Sequence, residues 1–253
     1  MRDARIGVVG ATGAVGAVVL ELLHERGHEN VRPFASRRSA GTRLPDGSVV
    51  EEATPEALSA GDLDLCLFSV GTSASRELVP HAVRGGAVCV DKSAAFRLEP
   101  GIPLVVPEVN GDRALEHAGV LANPNCCAIP LALVLKPLHD AAGLRAVRVA
   151  TYQSASGAGA QRLQRLLDEP QAEHDLAMDW DYDGEEFEEE SKLREETRKI
   201  LELPGLPVSA TCVRVPVPVG HAESVWLETE EPLSPAQVRE LLARAESVRV
   251  EEF

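Results

Sequence analysis

The sequence predicts an α/β protein in which a doubly wound, Rossmann-type nucleotide-binding domain precedes an α+β domain. A glycine-rich turn joins a short apolar strand to a helical pattern at the start of the chain. Strands and helices then alternate to about residue 123, and longer alternating strands follow a cysteine-containing turn. Regular strand–helix alternation is typical of a parallel sheet covered by helices. We therefore place the domains at residues 1–123 and 124–253.

Length and composition restrict the class of protein. The chain has 253 residues and a formal net charge of −15, which argues against nucleic acid as a partner. It contains no apolar run long enough to cross a bilayer and no signal-peptide pattern, so we expect a cytoplasmic protein. The five cysteines lie mostly in apolar segments and form no Cys-x-x-Cys pair, so we expect reduced thiols and no metal site.

The first motif is the glycine-rich turn. Arg5–Val9 is a short apolar strand, and it leads into Gly10-Ala11-Thr12-Gly13-Ala14-Val15-Gly16, after which apolar residues recur at helical spacing. Glycines allow close approach of the backbone to a pyrophosphate, and a helix N-terminus supplies unpaired N–H groups. The placement between strand and helix predicts a dinucleotide site, more firmly than the glycine spacing alone would.

The second predicted strand, Val31–Ala35, should end beside the adenosine ribose. Enzymes that use NAD usually carry an acidic residue there to bind the 2′-hydroxyl. This chain has Ser36-Arg37-Arg38-Ser39 instead, and two guanidinium groups beside two hydroxyls suit a 2′-phosphate. The position favours NADP over a solvated basic turn.

The spacing of apolar residues and the positions of turn and cap residues predict the remaining elements. In chain order, the sequence predicts strand 65–70, a helix capped by Gly71-Thr72-Ser73 and running to Arg84, strand 87–91, an extended segment at 103–107, strand 119–122, helix 128–142, strand 144–152, helix 161–167, helix 189–201, strands 208–215 and 223–229, a helix capped at Ser234 and running to Ala245, and a short strand end at 248–250. The second-domain strands could build an antiparallel sheet.

Cys126 lies in the turn Asn123-Pro124-Asn125-Cys126-Cys127 that opens the helix at 128–142. Unpaired N–H groups and the positive end of the helix dipole favour a thiolate there, and the thiolate is the nucleophilic form. An arbitrary cysteine is more often a buried structural residue, but the turn and helix context favours the nucleophile. The small-residue loop after strand 144–152, at 153–160, suits close approach to a ligand.

A competing motif lies further along. Asp179-Trp180-Asp181-Tyr182-Asp183-Gly184, with Glu190 after five more residues, matches the EF-hand calcium-loop pattern. Glu186 occupies the position where an apolar residue normally packs, and the sequence holds no second loop to pair with it. We therefore interpret this segment as an acidic surface loop.

These motifs together resemble the aspartate-semialdehyde dehydrogenase family. The matching segments, in the family's order, are GATGAVG at 10–16, ASRRSAG at 35–41, DKSAAFR at 91–97, PLVVPEVN at 103–110, NPNC at 123–126, TYQSASGAG at 151–159, EESKLREETRKI at 189–200 and VRVPVPVGHAES at 213–224. The resemblance implies a homodimer in which the second domain carries catalysis and dimerisation. It also implies phosphorylating, NADP-dependent interconversion of L-aspartyl-4-phosphate and L-aspartate 4-semialdehyde through a cysteine thioester, a step toward diaminopimelate, lysine, methionine and threonine.

The resemblance also implies roles for individual residues. Cys126 is the expected nucleophile and His221 the expected acid/base. The expected substrate contacts are Arg214 for the α-carboxylate, Glu189 for the α-ammonium group, and Arg97, Lys192 and Asn125 for the phosphate. The expected NADP contacts are Gly10, Thr12, Gly13, Val15, Ser36, Arg38, Ser39, Ser156 and Gly157.

The chain departs from the family pattern at two places. The family commonly has Gln four residues after the nucleophile, where this chain has Pro130. Family chains also continue beyond the point where this one stops, with a DNLRKGAA-like motif near the nicotinamide. We therefore expect the catalytic domain, and with it the nicotinamide site, to be incomplete at Phe253.

Two other functions remain open from the sequence. A sister reductase acting on N-acetylglutamyl phosphate would share the nucleotide domain and the cysteine, but Glu189 implies a free ammonium group that an N-acetyl substrate lacks. A non-catalytic fragment that binds NADP or calcium is the alternative from a different class.

Overall fold

The computed structural model describes residues 3–169 and 180–251 and divides into two compact units. The first unit comprises residues 1–105 and 112–123, and the second comprises residues 106–111 and 124–253. Within the described residues, no helix is long and apolar enough to cross a membrane.

The first unit is a parallel sheet with helices. Its strands are β1 (Ile6–Val9), β2 (Val31–Ala35), β3 (Glu51–Glu52), β4 (Leu65–Phe68), β5 (Val88–Asp91) and β6 (Val120–Ala122), and its helices are α1 (Ala14–Glu25), α2 (Pro55–Leu58) and α3 (Thr72–Arg84). The six strands lie in the order β3-β2-β1-β4-β5-β6, every pair parallel. The reversal of strand order at β1 is the doubly wound arrangement that the alternation predicts.

Apolar side chains cover the β1 strand completely, which explains its uninterrupted apolar sequence. Ile6 and Val8 pack in one cluster with residues of α1, while Val9 packs in a second cluster with Phe34 and Phe68. Val9 lies in a different cluster from Ile6 and Val8, and alternate side chains of a strand point to opposite faces, so both faces of the sheet are covered at β1. The sequence predicts that residues 71–73 cap α3. In the structure Gly71 is the N-cap residue, and no side chain caps the helix.

The second unit combines helices with a three-stranded sheet. Its elements are α4 (Pro107–Asn110), α5 (Ala128–Ala142), β7 (Leu144–Gln153), α6 (Ala160–Asp168), α7 (Glu188–Leu201), β8 (Val208–Arg214), β9 (Ala222–Thr229) and α8 (Pro235–Arg244). A short 3₁₀ segment spans Ala155–Ala158 in this unit, and another spans Gly111–Glu116, of which all but Gly111 belongs to the first unit. The bounds of α5 agree with the prediction, and Ser234 caps α8 through a capping box with Gln237.

The sheet order is β8-β7-β9, and the expectation of an antiparallel sheet was wrong for one pair. β7 pairs with β9 antiparallel but with β8 parallel. The helix α7 lies between β7 and β8 in the chain, and such a crossover returns the chain to the same end of the sheet, so the strands run parallel. The expected strand end at 248–250 was also wrong, because the structure has no strand there.

This topology brings three strand ends together. Gln153 and Arg214 are register partners at the carboxyl ends of β7 and β8, and Tyr152 pairs with Ala222 at the start of β9. The residues that directly follow β7, end β8 and precede β9 therefore lie at one edge of the sheet.

Candidate active site

Cys126 and His221 meet at that edge of the sheet. The Nε2 atom of His221 lies 3.2 Å from Sγ of the exposed Cys126. The backbone N–H of Ser154 donates to Nδ1 of His221 at 3.0 Å, and the Ser154 hydroxyl lies 3.1 Å from the same atom. Because Nδ1 accepts from a backbone donor, the neutral ring carries its proton on Nε2, facing the sulfur. Its hydrogen bond to Cys126 is the main cause that raises the pKa of His221.

The start of α5 separates the two adjacent cysteines. Cys127 is the N-cap residue, and its backbone N–H donates to Oδ1 of Asn125 at 2.7 Å. Its side chain is 1% exposed, and the hydrogen bond with Cys126 and burial both raise the pKa of its thiol. Cys126 instead lies one residue before the N-cap, at the positive end of a 15-residue helix. Cys126 is thus accessible to a substrate, whereas Cys127 is held in the core.

Pro130 lies in the first turn of α5. A proline is tolerated there because the first N–H groups of a helix have no intrahelical partner. The substitution therefore leaves the helix start intact, and a Gln side chain at this position is simply missing.

Gly157 lies against His221 and Arg214. A Cβ atom built on Gly157 would lie 3.0 Å from Cε1 of His221 and 3.1 Å from a terminal nitrogen of Arg214. The guanidinium of Arg214 donates to the carbonyl of Ser154 at 3.0 Å and stacks over the ring of Trp180, 4.7 Å from its centroid. A buried cation is thereby fixed beside His221, and the small-residue loop makes the close approach possible.

A second network holds Asn125, the residue before Cys126. Oε1 of the buried Glu189 accepts from Nδ2 of Asn125 at 2.8 Å and from Nε2 of Gln153 at 2.9 Å. Oε2 of Glu196 accepts from the backbone N–H of Asn125 at 2.6 Å. Asn125 is therefore held through both its backbone and its side chain.

The remaining predicted substrate residues have other contacts. Lys192, on α7, pairs with Glu188 at 2.8 Å. Arg97 belongs to the first unit, where it donates to the carbonyls of Asn123 at 2.9 Å and Lys92 at 2.7 Å. Ser156, an expected cofactor residue, lies 3.0 Å from the Ser154 hydroxyl in the second unit.

The other expected cofactor residues lie in the first unit, at the carboxyl ends of two neighbouring strands. Gly10 and Ala11 both donate to the carbonyl of Phe34, so the glycine-rich turn lies beside the end of β2. The residues 36–39 form a turn directly after β2, with Ser39 N–H donating to the Ser36 carbonyl at 2.8 Å. Thr12, Val15 and Arg38 are all exposed around these two turns.

The glycine-rich turn fits a bound dinucleotide. Gly10 has φ of +94°, and a Cβ there would lie 2.3 Å from the carbonyl oxygen of Ser69. A Cβ on Gly16 would lie 2.1 Å from the Gly10 carbonyl oxygen. Gly13 is the N-cap of α1 and has no side chain to cap it, which leaves the first N–H groups of the helix for a phosphate.

Sequence reasoning missed Glu223. It lies two residues after His221 on β9, and burial is the main cause that raises the pKa of its carboxyl to about 7. Its hydrogen bond with the Cys127 side chain and the nearby His221 act in the opposite direction. The segment GHAES contained the residue, but strand alternation alone does not distinguish a buried carboxylate from an exposed one.

The predicted acidic loop is described only from Trp180 onward, so the first position of the calcium-loop pattern lies outside the described residues. Oδ1 of Asp183 accepts from the backbone N–H groups of Glu185 and Glu186, both at 2.9 Å, and these bonds lower its pKa. Among the described residues, the one His/Cys/Asp/Glu group close enough to hold a metal ion is Cys126, Cys127 and His221.

Fold and site together define an oxidoreductase with a dinucleotide-binding domain and a cysteine–histidine pair. Residues 5–117 match the family model described as semialdehyde dehydrogenase, NAD binding domain, and residues 135–253 match semialdehyde dehydrogenase, dimerisation domain. The chain belongs to the aspartate-semialdehyde dehydrogenase family, as the motifs predict, and its first domain is a nicotinamide-cofactor domain.

Individual relatives support this assignment. The chain is 39% identical to the aspartate-semialdehyde dehydrogenase of Aquifex aeolicus over 273 residues, covering 97% of this chain and 80% of the relative. Among solved structures, aspartate semialdehyde dehydrogenase II of Vibrio cholerae, complexed with ASA, superposes with a TM-score of 0.89 at 35% identity, covering 96% and 80% of the two chains. The Candida albicans enzyme with NADP gives a TM-score of 0.75 at 27% identity, covering 96% and 77%.

Proposed function

We propose that this protein interconverts L-aspartyl-4-phosphate and L-aspartate 4-semialdehyde, with NADP as cofactor and Cys126 as the covalent nucleophile. The observation that carries the proposal is the 3.2 Å contact between Sγ of Cys126 and Nε2 of His221. It places a proton donor at an accessible thiol in a chain whose relatives bear the name of this enzyme. Such a pair is the arrangement that thioester chemistry requires.

Cys126 and His221 divide the chemistry between them. The thiolate of Cys126 attacks the acyl phosphate carbonyl, and the carbon–oxygen bond to phosphate breaks to leave a thioester. His221 donates a hydrogen bond from Nε2–H to the thiolate and then to the oxyanions that form on the substrate carbon. Each oxyanion collapses to a carbonyl, expelling phosphate or the thiolate, so the imidazole keeps its proton. The contacts of Ser154 to Nδ1 keep that tautomer in place through the cycle.

Five further residues are proposed to bind the substrate. Arg214, buried and beside His221, would hold the α-carboxylate through its guanidinium. Glu189 would receive the α-ammonium group, and this role disfavours an N-acetylated substrate, which has no ammonium to offer. Asn125, Arg97 and Lys192 are proposed to contact the phosphate.

The nicotinamide cofactor, when bound, supplies hydride exchange with the acyl carbon attached to Cys126. Gly10, Thr12, Gly13 and Val15 would bind the pyrophosphate at the start of α1. Ser36, Arg38 and Ser39 would bind a ribose 2′-phosphate, which makes NADP the preferred form, and the Candida albicans relative is a complex with NADP. Ser156 and Gly157 are proposed to contact the nicotinamide end.

We also propose a cytoplasmic homodimer with a cofactor domain at 1–123 and a catalytic domain at 124–253. The match to a dimerisation-domain model covers residues 135–253. The second unit exposes large apolar side chains that a partner subunit would cover, including Tyr152, Val219 and Trp226. The free cysteines fit a reducing compartment.

Absorbance assays of the purified protein, produced from its complete coding sequence, test the proposed reaction. With L-aspartate 4-semialdehyde, NADP and phosphate, NADPH should form, and omission of phosphate should stop its formation. N-acetylglutamate semialdehyde is the matched control and should react at least about a hundredfold more slowly, because the site lacks its preferred contacts. Absence of phosphate-dependent turnover with the aspartate substrate would refute the proposal.

A further inference from the structure

Two side chains on one face of α7 bind Asn125, the residue that precedes Cys126. Glu189 and Glu196 are seven residues apart, so their side chains lie on the same side of the helix, two turns apart. Both carboxylates bond the same residue: Glu189 accepts from Nδ2 of Asn125 at 2.8 Å, and Glu196 accepts from its backbone N–H at 2.6 Å. Asn125 is thus bound at two points by one rigid helix.

Burial of the Glu196 carboxylate costs free energy. Its residue is 1% exposed, and removal of a carboxylate from water costs several kcal/mol before hydrogen bonds compensate. Its 2.6 Å bond to the backbone N–H of Asn125 offsets part of this cost.

We infer that Glu196 is a positioning residue that fixes the Asn125–Cys126 peptide so that Sγ of Cys126 stays in contact with Nε2 of His221. The backbone N–H of Asn125 precedes α5, so the carboxylate takes the place of a helical acceptor for it. Loss of this bond frees the turn to move, and a shift of about 1 Å at a reacting atom can lower a rate about a hundredfold. The effect on kcat rests on the proposed function, but the effect on the thiol does not.

Glu190 provides the matched control. It lies on the same helix and is also buried, but its carboxylate accepts from the backbone of Cys212 at 3.0 Å and of Phe187 at 3.1 Å. Its removal should destabilise the helix and its junction with β8 without touching the Asn125 turn.

The experiment compares Glu196→Ala, Glu196→Gln and Glu190→Ala. For each folded variant, kcat and KM are measured, and alkylation of Cys126 by iodoacetamide is followed by mass spectrometry across pH. Glu196→Ala should lower kcat about tenfold to a hundredfold, change KM less than about threefold, and move the alkylation midpoint upward by about 1 pH unit as the His221 contact is lost. Glu196→Gln, which keeps an acceptor oxygen, should restore most of both properties.

Glu190→Ala should lower Tm but leave kcat and the alkylation midpoint near those of the parent protein. An unchanged midpoint in Glu196→Ala, or an equal shift in Glu190→Ala, would overturn the inference. If Glu196→Ala does not fold, Glu196→Asp withdraws the acceptor by one methylene and should move the midpoint in the same direction, and an unshifted midpoint there would equally refute it. If the parent protein turns over no aspartate substrate, the proposed function fails while the alkylation profiles still decide the role of Glu196.

Discussion

The glycine-rich turn of the first unit and the cysteine turn of the second are both at the start of a helix, yet they are built in opposite ways. The glycine-rich turn depends on side chains that are absent, since a Cβ on Gly10 or Gly16 would lie within 2.3 Å of a backbone oxygen. The cysteine turn depends on side chains that are present, and its partners Glu189, Glu196 and His221 follow Asn125 and Cys126 by 64, 71 and 95 positions. The glycines that meet the first requirement lie within seven residues of sequence, although Gly10 meets it against the distant Ser69. The residues that meet the second requirement are spread along the chain.

This difference indicates which positions of each turn tolerate substitution. Exposed side chains lie around the glycine-rich turn. Substitution of these side chains, as distinct from the glycines themselves, should alter ligand preference more than folding. A turn held by buried hydrogen bonds transmits the loss of any partner to the reacting atom. Three predictions test this contrast.

The largest effect is expected within the cysteine turn itself. Cys126→Ala should abolish turnover, because it removes the accessible sulfur that contacts His221. Cys127→Ala should keep most activity, since that side chain is buried and faces the core. Steady-state assays on both variants decide between them. If Cys127→Ala were inactive and Cys126→Ala active, the nucleophile would be assigned one residue too early.

An intermediate effect is expected in the cofactor unit. Arg38 is exposed directly after β2, and Arg38→Ala should weaken NADP binding by about 1.5–3 kcal/mol through loss of a charge-assisted contact. Binding of NAD should hardly change, and Tm should remain close to that of the parent protein. Titration calorimetry with both cofactors measures the difference. An equal loss of affinity for NADP and NAD would show that Arg38 is a structural residue, and the two turns would then not differ in the way described above.

The smallest effect concerns Glu223. Its folded-state pKa is about 7 against an ordinary value of 4.5, so the folded protein holds this proton more tightly than the unfolded chain does. The stability of the folded state then falls as pH rises between these two values, as the buried carboxyl ionises. Glu223→Gln should therefore raise Tm by about 2–4 °C at pH 8 and by much less at pH 5. Thermal denaturation at the two pH values tests it, and an equal change at both would show that ionisation is not the cause.

The parts predicted from sequence are those set by local patterns. The family, the doubly wound fold and the bounds of α5 are confirmed. They were predictable because strand alternation, glycine spacing and helical period are patterns among residues close together in sequence. The parallel pairing of β7 with β8 was missed, since it depends on recognising α7 as a crossover. The bond from Ser154 to His221 and the bond from Glu196 to Asn125 were not predictable, because no periodicity relates residues 67 or 71 positions apart.

The long separation between Cys126 and His221 has a consequence during synthesis of the chain. A ribosome that has just incorporated Cys126 must add another 95 residues to reach His221, and the start of β9 must then lie beside the end of β7 for the imidazole to reach the sulfur. Until then the thiol lacks its histidine partner. The emerging polypeptide is therefore spared a fully activated cysteine at the stage when it is least protected from oxidants and electrophiles.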